Sequence, residues 1–181
     1  GAMLTKAMEK SGAHRRLALS MVHVFGGDSP KKLVFGFMVA SATLSMWVSN
    51  TATTLMLLPV AYAVVDSLND EHSRIKLAVP LFLGIAYSAS IGGLGTPIGS
   101  PPNVIFLKVY AEATGVMPSF SQWMIWALPV VIFMIPAAGF WLTRNLHGNQ
   151  SVRIPEVGQW RKEEVRVTLV FTLTAVSYTH L

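Results

Sequence analysis

Two apolar stretches, 33–48 and 52–65, carry no charge, and each is too short to cross a bilayer. As helices at 1.5 Å per residue they reach about 24 and about 21 Å, against about 30 Å of hydrocarbon. Read through as one helix, residues 33–65 would extend about 50 Å, far too long for one span. Between the stretches lies a polar cluster, Trp47-Val48-Ser49-Asn50-Thr51-Ala52-Thr53-Thr54. The pattern predicts a hairpin over 31–69 that enters a membrane, turns at a Ser-Asn-Thr tip and leaves by the side it entered. Non-helical backbone survives at membrane depth only where it is buried in protein or lines a cavity. The tip is therefore the first place to seek a bound solute.

The charges support a membrane reading. With 52% apolar and 13% charged residues, the chain has the balance of an integral membrane protein. Of its 14 Lys and Arg residues, all but Lys108 fall in the segments 6–32, 74–76 and 144–166. Basic flanks separated by uncharged blocks are the positive-inside pattern, which puts all three segments on the cytoplasmic side. Without an interleaved aromatic platform, the net charge of +5 gives no support to nucleic-acid binding. The chain has no cysteine, so disulfides and thiolate chemistry are excluded.

Along the chain, residues 1–30 read as the end of a preceding helix and an amphipathic surface helix, with Leu17, Leu19, Met21, Val22 and Phe25 on its apolar side. They show no cleavable signal, because 1–20 are charged and lack an apolar core. An exit loop runs from Asp66 to His72, and a helix is expected over 77–91. It breaks at 92–103, where four glycines and three prolines within twelve residues cannot continue an α-helix. Apolar sequence then resumes, so 74–114 is an interrupted transmembrane helix. An ordinary span follows over 118–143, with Trp123, Trp126 and Trp141 as interface anchors. Residues 144–162 form a cytoplasmic connection, and 163–181 begin another helix. The five histidines lie in flanks or at the tail, away from any intramembrane proton relay.

A pair of broken membrane elements is how secondary transporters build binding sites. Helix N-termini offer N–H groups to an anion, and unwound carbonyls with hydroxyl and amide oxygens offer a cation neutral ligands. No carboxylate lies from Lys31 to Val65 or between Glu71 and Glu112. That suits Na⁺ and disfavours Ca²⁺ or Mg²⁺, which recruit carboxylates. The tip also has a plainer reading, as a polar kink satisfied by a neighbouring helix. Asn103 stands equally as a ligand or as the N-cap of the half-helix after the break. An enzyme is not expected, because no neighbouring membrane residue could activate Ser49 as a nucleophile and there is no intramembrane Asp pair.

Ser-Met-Trp-Val-Ser-Asn-Thr-Ala-Thr-Thr (45–54), with Leu-Pro at 58–59, resembles the hairpin signature of the divalent anion:sodium symporter family. Ile-Gly-Gly-Leu-Gly-Thr-Pro-Ile-Gly-Ser-Pro-Pro-Asn (91–103) resembles that family's unwound segment, and Ala7 to Arg16 is similar as well. The resemblance implies an all-α integral membrane protein, half of an inverted-repeat transporter, sited in the bacterial cytoplasmic (inner) membrane. It implies Na⁺-coupled uptake of di- or tricarboxylates such as succinate, malate, fumarate or citrate by a homodimer in the lipid bilayer, with no organic cofactor. Carried over by position, Ser45, Ser49, Asn50 and backbone at Gly99 would ligate Na⁺. Asn50, Thr51 and backbone around Ser100 and Pro101 would hold a substrate carboxylate. Ser45 has a competing reading, as a hydroxyl bonded back to its own helix. Two alternatives keep the same family, a Na⁺-independent dicarboxylate exchanger and a carrier of another divalent anion such as sulfate. The resemblance also implies an internal fragment of the N-terminal half. Its last five residues, Ser177 to Leu181, depart from the apolar continuation the family pattern implies, and Gly1-Ala2-Met3 reads as native sequence or as a cloning remnant.

Overall fold

The computed structural model describes residues 29–146, together with Ser20, Val22, Val24 and Leu169. The expected surface helix at 1–30, the connection over 144–162 and the helix start over 163–181 fall almost wholly outside the described residues. Five α-helices have their bounds among those residues, none of which is in a strand. They are α1 (Pro30–Ser45), α2 (Asn50–Asp66), α3 (Glu71–Gly92), α4 (Pro101–Thr114) and α5 (Phe120–Thr143).

Side-chain chemistry sets the helix starts. Ser29, Ser49, Asp70 and Ser119 each accept a backbone N–H of the first turn, at α1, α2, α3 and α5 respectively. Such caps satisfy donors that have no partner inside the helix. The third of them shortens the exit loop. The loop was expected to reach His72, but α3 starts at Glu71 because the Asp70 carboxylate accepts from the Ser73 N–H at 3.0 Å and its hydroxyl at 2.8 Å. The side-chain bond from Ser73, seconded by its backbone N–H, holds the Asp70 carboxyl below its usual range. A depressed folded pKa means that this cap contributes fully above the unfolded pKa and is lost as pH falls through the folded one. Arg74 closes the same loop from the other side, donating to the carbonyls of Leu68 at 2.6 Å and Asp66 at 3.0 Å.

α1 is the centre of the packing. Leu33, Val34, Phe37, Met38 and Ala40 are fully enclosed, as suits a helix apolar on every side. α3 runs beside it in the same direction: Gly84 lies against Met38 and Val34, and Gly92 against the backbone of Ala42. Between these points the Ser41 hydroxyl donates to the Ile85 carbonyl at 2.8 Å. α2 runs back along α3, with the Tyr62 ring 4.8 Å from Phe82 and Asn50 beside Gly93. α5 is antiparallel to α1, its Gly139 seating the Phe35 ring and its Phe120 stacked 6.2 Å from Trp47. These directions place Lys31, Lys32, Arg74, Lys76 and Arg144 at one end of the bundle and both helix breaks toward the other.

Only α3 and α5, of 22 and 24 residues, are long and apolar enough among the described helices to cross a membrane. α1 and α2, of 16 and 17 residues, reach about 24–26 Å. Ile125, Ile132, Phe133 and Phe140 leave one face of α5 apolar and exposed, while Val131, Ile135 and Gly139 are buried on the other.

Candidate functional site

The two breaks meet. Met46 to Ser49 form the turn between α1 and α2, and Gly93 to Ser100 the unwound segment between α3 and α4. The Thr96 hydroxyl donates to the Met46 carbonyl, joining one break to the other. A Cβ on Gly93 would overlap Asn50 Oδ1, and one on Gly99 would stand 2.5 Å from the Gly93 carbonyl oxygen and 3.1 Å from that of Met46. Close approach of backbone therefore demands glycine at 99, and at 93 a side chain would displace that of Asn50. Backbone sign demands neither, since Gly115 is the one described residue with positive φ.

The residues expected to bind solute divide into two groups here. Ser45 is fully buried, and its hydroxyl donates to Asn50 Oδ1 at 2.5 Å, across the turn. It does not bond back to its own helix, as Thr43 does to Val39 at 2.8 Å. Asn50, beside Gly93, and the buried Gly99 complete this inner group. The outer group is more open. Ser49, Thr51 and Pro101 are exposed and Ser100 is half-buried. Ser49 Oγ is the α2 cap, accepting the Ala52 N–H at 3.3 Å, so Asn50 and Thr51 are helical residues and the turn ends at Ser49, the first residue of the expected tip.

Asn103 is not the cap of α4. Ser100 takes the cap position of α4, because Pro101 and Pro102 occupy the first helical positions, where a missing N–H is harmless. Asn103 is buried, and its amide nitrogen donates to the carbonyls of Gly93 at 2.7 Å and Thr96 at 2.8 Å, lacing the unwound segment shut. Its sequence signal was an amide just beyond a glycine-rich break, the one nearby side chain with two donors. Trp123 was expected only as an interface anchor, yet its indole N–H donates to the Leu94 carbonyl at 2.9 Å. None of these bonds falls on the carbonyl of Gly99.

Thr53 was not singled out from sequence. Its side chain is fully buried, and its hydroxyl is the one enclosed polar side-chain atom without a protein partner among the described residues. Such an atom costs about 1–3 kcal/mol unless something satisfies it.

Over residues 1–179 the chain matches the family model described as citrate transporter. The chain belongs to the citrate transporter family. It is 34% identical over 194 residues to the sodium-dependent dicarboxylate transporter SdcS of Staphylococcus aureus strain USA300, a match covering 97% of this chain and 37% of the relative. The same protein from strains NCTC 8325 and COL gives the same identity and coverage. The resemblance to divalent anion:sodium symporters is thereby borne out, and these relatives are transporters rather than enzymes. The chain spans 37% of the length of the relatives it matches.

Within this family member the junction has a definite electrostatic character. Residues 33–65 and 77–107 contain no basic side chain. Among the described residues no group of three or more His, Asp or Glu could hold a metal. An anion there would meet the N–H groups at the start of α2 and, since Pro101 and Pro102 carry none, only the dipole end of α4, whereas a cation would meet hydroxyl, amide and carbonyl oxygens. Each helix end contributes only about 0.3–2 kcal/mol toward an anion. A cation bound beside it would be the larger attraction.

Proposed function

We propose that the full-length protein carries di- or tricarboxylates across the bacterial cytoplasmic membrane in symport with Na⁺, working as a homodimer. The observation that carries this reading is the Ser45–Asn50 oxygen pair, a buried hydroxyl on a half-buried amide, set against glycine backbone of the second break with no carboxylate at hand. Ser45 Oγ, Ser49 Oγ, Asn50 Oδ1 and the Gly99 carbonyl ligate Na⁺, the Ser45 hydroxyl turning its hydrogen away as the ion enters. Thr51, the Asn50 amide and the backbone N–H of Ser100 hold one substrate carboxylate on the open side, which Pro101 lines without a donor of its own. Residues 31–69 act as a re-entrant hairpin and 74–114 as an interrupted span, with an inverted copy of the arrangement in the other half of the transporter. The sodium-dependent dicarboxylate transport of the relatives supports the same reading.

Because the ion supplies the main attraction, dicarboxylate affinity should depend on Na⁺, and linkage requires the converse by the same factor. Calorimetric titration of succinate into the full-length protein should therefore show tight binding in Na⁺ and weak binding in choline. Equal affinity in the two salts defeats the symport reading in favour of an exchanger, and binding of sulfate in place of succinate redirects the substrate class.

The hairpin is tested separately. Cysteines replacing Lys32 and Asn69, at the entry of α1 and beyond the exit of α2, should be labelled from the same side of sealed vesicles by a membrane-impermeant reagent. Labelling from opposite sides excludes re-entry.

A further inference from the structure

We propose that the Thr53 hydroxyl is an additional ligand of the cation carried at this junction, beyond Ser45, Ser49, Asn50 and Gly99. The inference rests on the Na⁺-coupled reading above and adds a residue to it.

Most helical hydroxyls of this protein satisfy themselves on the preceding turn. Thr43, Thr54, Thr114 and Thr143 each donate to the carbonyl four residues back at 2.7–2.8 Å, and Ser88 does so at 2.5 Å. Thr53 does not, although it is as deeply buried as any of them and the Ser49 carbonyl four residues back accepts its backbone N–H at 3.0 Å. A threonine that forgoes the bond its neighbour Thr54 makes has its oxygen directed elsewhere.

Helix geometry indicates where. The buried residues of α2 are Thr53, Leu57, Val60, Ala61, Val64 and Val65, a stripe at helical spacing that faces the bundle. Asn50 stands three residues before Thr53 on the same stripe, with its side chain against Ser45 and Gly93. Side chains on a helix lean toward its N-terminus, over the preceding turn. Thr53 therefore stands about one turn after Asn50 on the bundle-facing side of α2, with its enclosed hydroxyl turned away from its own helix's carbonyls. Thr53 thus adds a third neutral oxygen beside the Ser45–Asn50 pair in a stretch without carboxylates, and of the three only Thr53 lacks a protein partner. Buried polar atoms in native proteins are satisfied by protein, water or an ion. A monovalent hard cation such as Na⁺ matches a set of uncharged oxygens.

The test is uptake by the full-length transporter in liposomes, measured against Na⁺ concentration, for Thr53→Val, Thr53→Ser and Ser45→Ala. Valine keeps the shape and removes the oxygen; serine keeps the oxygen. Thr53→Val is expected to raise the Na⁺ concentration for half-maximal uptake by about tenfold or more. Half-saturation by succinate at saturating Na⁺ should hold, and Thr53→Ser should restore the Na⁺ dependence. Na⁺-induced thermal stabilisation, read on the same purified variants, should fall in parallel. If Ser45→Ala shifts Na⁺ dependence and Thr53→Val leaves it unchanged, Thr53 is packing alone and the proposal is overturned while the symport reading stands. If neither variant alters Na⁺ dependence, the cation site lies elsewhere and both fall together.

Discussion

Asn50→Ala in the full-length transporter is expected to weaken Na⁺ and dicarboxylate binding together, each by about ten- to a hundredfold. The reason is the place of this one amide. Its oxygen accepts the Ser45 hydroxyl at 2.5 Å and lies against Gly93, on the inner side of the junction. Its backbone opens α2, whose N-terminus faces the more exposed side with Thr51. Removing the side chain takes a ligand from the cation and leaves Ser45 without its acceptor. A hydrogen bond to a charged group contributes about 1.5–3 kcal/mol, which sets the expected range. Since the bound ion is the main attraction for the carboxylate, what the variant takes from one ligand it takes in part from the other. Titrating each ligand at a fixed level of the other measures both losses. Loss of dicarboxylate affinity with intact Na⁺ affinity would place the cation away from Asn50.

Asn103→Leu acts on the scaffold instead of the ligands. It removes both donors that hold the carbonyls of Gly93 and Thr96. The Gly93 carbonyl is left unpaired at a cost of about 1–3 kcal/mol, while the Thr96 carbonyl keeps the Gly99 N–H at 3.3 Å, so the loss is a sizeable share of a domain's stability of about 5–15 kcal/mol. The expected result is a melting temperature lowered by several degrees and uptake lost even at saturating Na⁺, because the segment bearing Gly99 is no longer held against Met46. Thermal unfolding of the purified full-length variant in detergent reads the first, and liposome uptake the second. A variant with the stability of the parent protein would show that the unwound segment keeps its shape without this clamp. The pair of variants separates the two roles: Asn50→Ala should lower affinity for both ligands, and Asn103→Leu should destabilise the fold and lose uptake that saturating Na⁺ does not restore.

The sequence alone determined that the chain is helical, where its helices are interrupted and which family it resembles. Short uncharged stretches cannot span a bilayer, glycine and proline in the density of 92–103 cannot continue a helix, and basic residues mark one side of a membrane. These are properties of local composition. Tertiary structure alone decided what joins the two breaks. Ser45 could bond back to its helix or across the turn, and the choice depended on Asn50 being held beside Gly93. Asn103 looked like a cap, but the donors of a buried amide went to the nearest carbonyls freed by the unwound segment. Trp123, twenty-nine residues from Leu94 in sequence, found another of those carbonyls. Nothing in the sequence set Thr53 apart from the rest of the polar cluster, because whether a helical hydroxyl is satisfied depends on its neighbours in space. Hydrogen-bond partners across long separations are set by which backbone groups packing leaves open, and that is visible only once the helices are together.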